Sequence, residues 1–175
     1  MKNIFRRMFS CTSIQKDEPP LQSREEDDDV NTICIIDYTE TLPFIPPITE
    51  GQVIKVYDGD TITIATKLPY PTSPLYRFPV RLNGIDCPEM KGKTDDEKTI
   101  ALLAKKELES LAMHKVVRLK NLQNEKYGRV LADVYIDDIH LNRHMLSKKL
   151  AVAYDGNTKK LPKSWVKYHF TGQTD

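Results

Sequence analysis

The sequence predicts an α+β, mainly β domain: a five-stranded Greek-key barrel with two helices, preceded by a disordered acidic N-terminal tail. Three observations lead to this prediction. Short β-branched runs separated by turn residues recur after residue 50. Two stretches with apolar residues at helical spacing lie between and after those runs. Residues 1–50 hold 10 Asp and Glu against 5 Lys and Arg, and they contain no comparable succession of strands.

We divide the chain at residues 32 and 50. Residues 1–32 are predicted to be disordered, because a basic start and the acidic run Glu25–Asp29 bury too little apolar surface to offset the entropy of ordering. Residues 33–50 form a Pro-rich lead-in, and residues 51–175 form the folded domain. The start of the chain lacks the apolar run of a secretory signal. Its spaced apolar residues and Cys11, a candidate for lipidation, leave a weak membrane association of the tail open.

The folded domain begins with a predicted hairpin. Val53–Tyr57 and Thr61–Ala65 are β-branched runs, and the Asp-Gly pair between them is typical of a tight hairpin turn. A third strand is predicted at Tyr76–Leu82, where Pro79 indicates an edge position or a bulge, since proline has no N–H for a central ladder.

The second half of the domain alternates between helix and strand. Thr94 and Glu97 have the spacing of a capping box, so a helix is predicted from there to about Met113. Two strands and a second helix follow, at Val116–Leu122, Val130–Ile136 and Leu141–Lys149. Pro162 and the short tail leave little room for a third helix. This order matches an OB-fold barrel better than a βαβ sheet.

Charge and cysteine content restrict the class of protein. Residues 51–175 hold 21 Lys and Arg against 15 Asp and Glu, which suits a polyanionic partner, although a solvated mixed-charge surface explains it equally well. Cys11, Cys34 and Cys87 form no CxxC pair, so neither a disulfide framework nor a zinc site is indicated. With no apolar run of the ~20 residues that a membrane span needs, we expect an intracellular, soluble, cytoplasmic protein.

Three polar segments contain the candidate chemistry: Asp58–Thr61, Arg81–Glu89 and Glu125–Arg129. Taken singly, each is explained by ordinary turn or loop composition. Taken together, they supply what phosphodiester hydrolysis needs. Asp60 and Asp86 offer oxygen ligands for a hard cation, Glu89 a base for water, and Arg81 and Arg129 bidentate phosphate donors. Sequence spacing does not decide whether these segments meet in space.

The same three segments resemble, in order and spacing, the motif set of the thermonuclease (staphylococcal nuclease-like) family. The matching stretches are Tyr57–Thr61, Val80–Glu89 and Glu125–Arg129, and the segment Ala151–Tyr154 resembles the one after the family's second helix. The resemblance implies an OB-like barrel and a calcium-dependent endonuclease that acts on DNA and RNA, preferably single-stranded, and leaves 3′-phosphate ends.

The resemblance also implies roles for individual residues. Asp60, Asp86 and the backbone carbonyl of Cys87 correspond to the ligands of one Ca²⁺, although such a site also accepts Mg²⁺ or Mn²⁺. Glu89 corresponds to the base that activates water, and the pair Arg81 and Arg129 to the groups that hold the scissile phosphate. For substrate binding, the corresponding residues are Lys126, Tyr127 and Tyr154. Tyr154 is equally well explained as a core residue.

A binding module of the same architecture is the alternative, because OB barrels often recognise nucleic acid or protein without turnover. Loss of a catalytic carboxylate or arginine would favour that alternative, and the sequence retains Asp60, Asp86, Glu89 and both arginines. We therefore expect a nuclease, and a monomer.

Overall fold

The computed structural model describes residues 35–125 and 127–174. Ile35–Glu40 belong to one unit, residues 1–40, and contain a single 3-10 turn at Tyr38–Glu40. Residues from Thr41 onward belong to a second unit. The sequence predictions for the tail at residues 1–32, its membrane association, Cys11 and the substrate contact of Lys126 lie outside the described residues.

The second unit is a closed β-barrel with helices packed against it. Its strands are β1 (Glu50–Val56), β2 (Thr61–Lys67), β3 (Leu75–Leu82), β4 (Ile85–Asp86), β5 (Val116–Asn124), β6 (Val130–Ile136), β7 (Ile139–His140) and β8 (Val152–Ala153). Its helices are α1 (Asp95–Ala112), α2 (Leu141–Ser147) and α3 (Trp165–Thr171).

The five long strands form the barrel, in the order β3-β2-β1-β5-β6. All neighbours in that order are antiparallel, and a parallel pairing of β3 with β6 closes the barrel. Where β3 and β6 pair, neither strand has a free edge. The predicted fold class is confirmed, and so are the five main strands and the first two helices.

The N-terminus of α1 agrees with the predicted capping box in one half only. The Thr94 hydroxyl accepts the N–H of Glu97 at 3.1 Å, as expected. The Glu97 carboxylate does not close on Thr94; it accepts the N–H groups of Lys93 at 3.1 Å and of Glu89 at 3.2 Å. Because Glu97 bonds back to residue 89, the first turn of α1 fixes the loop that precedes it.

Gly59 in the β1–β2 turn is required for a reason that differs from the one the sequence suggested. Its φ is not positive, so no left-handed turn conformation selects it. A Cβ at this position would lie 2.6 Å from Cβ of Ala104 in α1 and 2.9 Å from Sγ of Cys87. Only glycine lets the turn, the helix and the segment after β4 approach this closely.

Asn142 anchors α2 to the barrel through a fully used buried amide. Its Oδ1 accepts the N–H of Val134 at 3.0 Å, while Nδ2 donates to the carbonyls of Asn83 at 2.8 Å and Ala132 at 3.2 Å. The side chain thereby joins β6 to the turn after β3.

The expectation of only two helices is wrong, because α3 forms after Pro162. Ser164 caps it by accepting the N–H of Lys167 at 3.0 Å, and Gly172 ends it at φ +82°. A seven-residue helix is marginal alone. Here Asp96 of α1 accepts the N–H of Trp165 at 2.7 Å and the hydroxyl of Ser164 at 3.0 Å. Tertiary capping and the burial of Trp165 thus stabilise a helix that local pattern does not predict.

The lead-in enters the barrel wall rather than adding a strand to it. Pro46 and Ile48 are buried, and the carbonyl of Thr49 accepts the N–H of Leu119 at 2.7 Å. Within residues 35–125 and 127–174, no helix combines the length and the apolar character needed to cross a membrane.

Asp96→Ala tests the tertiary cap of α3. We expect it to lower the free energy of unfolding by about 1–3 kcal/mol, because it leaves the N–H groups of Trp165 and Val166 unsatisfied in a partly buried place. Urea titration followed by the fluorescence of Trp165 measures the change.

Asp95→Ala is the matched control, because Asp95 begins the same helix but its side chain is fully exposed and pairs with Lys98 at 3.4 Å. Equal midpoints for the two variants would contradict a specific role of Asp96.

Candidate active site

Most of the residues singled out in the sequence line one cavity of about 360 Å³ at the end of the barrel. Seven of the predicted residues contribute to its wall: Asp60, Arg81, Cys87, Glu89, Tyr127, Arg129 and Tyr154. Asp86 is buried behind the wall, where it bonds to Arg81. The three polar segments therefore meet in space, which the sequence alone did not decide.

Arg81 joins the two aspartates at the centre of the site. Its Nη1 lies 2.6 Å from Oδ2 of Asp60, and its Nη2 lies 2.9 Å from Oδ1 of Asp86. Nη2 also donates to the carbonyl of Ile85 at 3.1 Å. Burial alone would lower the pKa of Arg81, but the charges of Asp60 and Asp86 outweigh it and raise that pKa. The guanidinium is thus a fixed positive charge on β3.

The carboxylates near Arg81 are crowded. Asp58 and Asp60 flank Gly59 in the β1–β2 turn, and the N–H of Asp60 donates to Oδ1 of Asp58 at 3.1 Å. Burial, followed by the charge of Asp60, raises the pKa of Asp58 to about 6. Oδ2 of Asp86 is buried and has no hydrogen-bond partner among the described residues. Additional positive charge at this place would lower the energy of the cluster.

Cys87 is the free cysteine of the described part of the chain, and it is buried. Its N–H donates to Oδ2 of Asp60 at 3.2 Å. Burial, together with the charges of Asp60, Asp58 and Asp86, raises the pKa of the thiol well above its usual value. The thiol is therefore held in its protonated form, which is a poor nucleophile.

Arg129 approaches the same cavity from the turn between β5 and β6. The parallel pairing of β3 with β6, in which Arg81 is opposite Leu131, brings this turn beside Arg81. Nε of Arg129 donates to Glu125 at 3.1 Å, and Nη1 lies 3.4 Å from the hydroxyl of Thr61. The hydrogen bond from Arg129 is the main cause of a lowered pKa of Glu125.

Lys159 is a site residue that sequence reasoning missed. It follows β8 in an irregular segment, and its Nζ lies 3.0 Å from Oδ1 of Asp86 and 3.5 Å from Oε1 of Glu89. The side chain of Glu89 is 65% exposed, so this carboxylate is far more accessible than those of Asp60 and Asp86. No local signal marks Lys159, because 70 residues separate it from Glu89.

Asp58 and Glu125 were also assigned no role from the sequence. Both belong to segments that were recognised there, so their proximity to Asp60 and Arg129 was the available signal. A larger cavity of about 500 Å³ adjoins the site and shares Arg81, Glu125 and Tyr154 with it. Tyr154 is half-buried, and its hydroxyl donates to the carbonyl of Asn157 at 3.3 Å. Its position between two cavities contradicts a purely core role.

The donors suit a hard divalent cation in kind, although they do not form a complete side-chain cage. Within the described residues, no group of three or more His, Cys, Asp and Glu side chains is arranged to hold a metal. Two aspartates, one of them with the unpartnered Oδ2 of Asp86, are available. Hard cations accept backbone carbonyls and water for their remaining ligands, so the residues present fit such an ion.

Comparison with known proteins finds similar chains named as endonucleases. A Haemophilus influenzae protein named "Uncharacterized endonuclease" is 36% identical over 103 residues, which cover 59% of this chain and 51% of that protein. A Schizosaccharomyces pombe protein named "Probable endonuclease" is 32% identical over 129 residues, 61% of this chain and 56% of that protein. An Escherichia coli protein named "Uncharacterized endonuclease" is 30% identical over 106 residues, which cover 60% of this chain and 61% of that protein. The chain thus spans a little over half the length of these relatives.

The sequence model of the family described as "Staphylococcal nuclease homologue" matches residues 79–168. The match begins after Asp60 and contains Arg81, Asp86, Glu89 and Arg129, together with β6 and α2. It covers slightly more than half of the 175 residues. The chain therefore belongs to the staphylococcal nuclease homologue family.

Proposed function

We propose that this chain is a metal-dependent endonuclease that hydrolyses phosphodiester bonds of DNA, RNA or both and leaves 3′-phosphate ends. The observation that carries the proposal is one cavity whose wall combines two arginines with carboxylates of both buried and exposed kinds. Family membership and the names of the similar proteins support it.

Asp60, Asp86 and the backbone carbonyl of Cys87 would hold the cation. Five carboxylates (Asp58, Asp60, Asp86, Glu89 and Glu125) and three cationic side chains (Arg81, Arg129 and Lys159) line or adjoin the cavity. The resulting excess of negative charge and the unpartnered Oδ2 of Asp86 support a divalent ion. Calcium is the ion that the family implies, and when bound it supplies positive charge that polarises a phosphoryl oxygen and stabilises hydroxide.

Arg81 and Arg129 would bind the scissile phosphate through the N–H groups that do not donate to other protein atoms. A guanidinium has five N–H donors. Arg81 uses Nη1 toward Asp60 and Nη2 toward Ile85 and Asp86, so Nε and one Nη1 hydrogen remain within the described contacts. Arg129 uses Nε and one Nη1 hydrogen, so its Nη2 group and the other Nη1 hydrogen remain. Donors fixed in this way stabilise the more negative transition state without reorganisation.

Glu89 would accept the proton of the attacking water. Its carboxylate is exposed on the loop before α1, and Glu97 fixes the backbone of that loop by accepting the N–H of Glu89. A general base must reach the nucleophile from a fixed backbone while its carboxylate stays accessible to water. Lys159 approaches Oε1 of the same carboxylate at 3.5 Å, which leaves further acceptor positions of Glu89 open to water.

The adjoining cavity of about 500 Å³ supports a nucleotide chain as substrate. Its lining includes the half-buried Leu131 and Tyr154 together with Asn83 and Gln123. A lining of mixed apolar and polar groups suits a nucleoside next to the phosphate that Arg81 would bind. A base can enter such a cavity only when it is unpaired, which favours single-stranded or locally opened nucleic acid.

Glu89→Gln tests the proposed base. We expect kcat for heat-denatured DNA in millimolar calcium to fall by a factor on the order of 10²–10⁴, because the amide cannot accept the proton. A chelator should abolish cleavage by the unsubstituted chain. Binding of the DNA without cleavage under any divalent ion would make this domain a recognition module instead.

Arg129→Lys tests bidentate phosphate binding. We expect it to lower kcat by a factor on the order of 10²–10³, nearly as much as Arg129→Ala, because an ammonium cannot reproduce the planar pair of donors. Arg143→Lys, on the exposed face of α2, is the control. If the Arg129→Lys variant keeps most of its activity, the bidentate clamp has no place in the mechanism.

Lys159→Gln tests whether this lysine competes with the cation for Asp86. Lys159 is 43% exposed, so its pairing is worth no more than about 1 kcal/mol after solvent screening. Calcium binding, measured by titration calorimetry, should therefore tighten roughly two- to fivefold. Lys160→Gln removes the same charge one residue later and should change nothing. Equal calcium affinities of the two variants would contradict the competition.

A further inference from the structure

A groove of about 420 Å³ borders Arg129 and is separate from the two cavities described above. One wall is the turn between β5 and β6, with Asn124, Glu125, Gly128, Arg129 and Val130. The other wall consists of Phe44, Pro46, Phe78 and Pro79, from the lead-in and from β3. The proposed hydrolysis assigns no role to this second wall.

The groove exists because β3 and β6 pair over a short distance only. Their parallel register begins at Val80 opposite Val130 and ends at Leu82 opposite Ala132. Pro79 precedes the first pair and has no N–H to extend the ladder. The strand and the β5–β6 turn therefore separate just where Arg129 begins the approach to the candidate site. Phe44 and Pro46 border the opening that results.

The apolar wall presents aromatic surface to solvent. Phe44 is 71% exposed, although it comes two residues before the buried Pro46. Phe78 is half-buried against the core, and its ring lies 6.2 Å from that of Tyr76 in a tilted arrangement. An exposed phenylalanine beside a guanidinium offers a planar apolar face and a positive charge. Those are the two features that bind a base and its phosphate in single-stranded nucleic acid.

The groove adjoins the candidate active site. Glu125 and Arg129 line both, whereas Arg81, Glu125 and Tyr154 connect the site to the 500 Å³ cavity. The reacting phosphate would thus have one cavity beside Arg81 and another beside Arg129. Since a base is tied to its phosphate through one sugar, the groove is within reach of a nucleotide whose phosphate Arg129 binds.

We propose that the groove between Phe44 and Phe78 is a second nucleobase site, which stacks the base of the nucleotide on the Arg129 side of the scissile phosphate. This inference rests on the proposed function, and it adds a substrate contact that comes from the Pro-rich lead-in. Stacking on an aromatic face accepts every base, so the site contributes affinity and length dependence rather than sequence preference.

Phe44→Ala is the decisive variant, because the exposed side chain can be removed with little effect on folding. Binding of a single-stranded oligonucleotide, measured by fluorescence anisotropy in chelator, should weaken roughly tenfold, the scale of one base stacked on an aromatic ring. In calcium, KM should rise by a similar factor with kcat unchanged. Phe44→Trp should restore binding, while Phe44→Leu should not, because leucine keeps apolar surface without a ring. Phe170→Ala, which removes a phenylalanine that is 75% exposed on α3, is the control.

Oligonucleotides with a single abasic position, stepped along the strand, test the contact with the base. The unsubstituted chain should lose affinity when the base at one position next to the cleaved bond is missing, and Phe44→Ala should be insensitive at that position. Equal affinities of Phe44→Ala and Phe44→Leu with the unsubstituted chain, or an unchanged abasic profile, would overturn the second base site. If the unsubstituted chain binds the oligonucleotide but does not cleave it, only the proposed nuclease activity is contradicted, because the anisotropy measurement still tests the base site. Absence of both binding and cleavage would overturn both.

Discussion

The bridge from Arg81 to Asp60 and Asp86 is the interaction on which the candidate site depends. Asp60 directly precedes β2 and Asp86 ends β4, and both carboxylates are nearly inaccessible to solvent. Two buried anions placed side by side are costly unless a positive charge compensates them. Arg81 provides that charge from β3, the strand that pairs with β2, through contacts of 2.6 and 2.9 Å. Removal of the guanidinium would leave Asp60 without its ion-pair partner and Asp86 with Lys159 alone.

Closure of the barrel brings the Arg129 turn beside the bridge. The parallel pairing of β3 with β6 joins the segment that contains Arg81 to the strand that follows the Arg129 turn. At the same end, α1 contributes from its first turn. Glu97 holds the loop of Glu89, and Asp96 caps α3. The β3–β6 pairing that closes the barrel thus also supports the site, together with the first turn of α1.

The cavity contains more carboxylates than cationic side chains, and two features of the structure compensate for this in part. Asp58 is forced toward its protonated form by burial and by Asp60, and Lys159 neutralises part of the charge of Asp86 and Glu89. A cation that bound here would relieve both conditions at once. Arg81 and Arg129 retain N–H donors beyond those that bond to their carboxylate partners.

The sequence by itself determined the succession of strands and the helices α1 and α2, because alternation, helical spacing and capping act over a few neighbouring residues. It also determined which residue types were available for the chemistry. Tertiary structure decided what distant residues do to one another. Gly59 is required by the close approach of Ala104 and Cys87. Helix α3 forms because Asp96 caps it. Lys159 contacts Asp86 although the two residues are far apart in the sequence. None of these contacts has a local signature, since each depends on how the barrel closes.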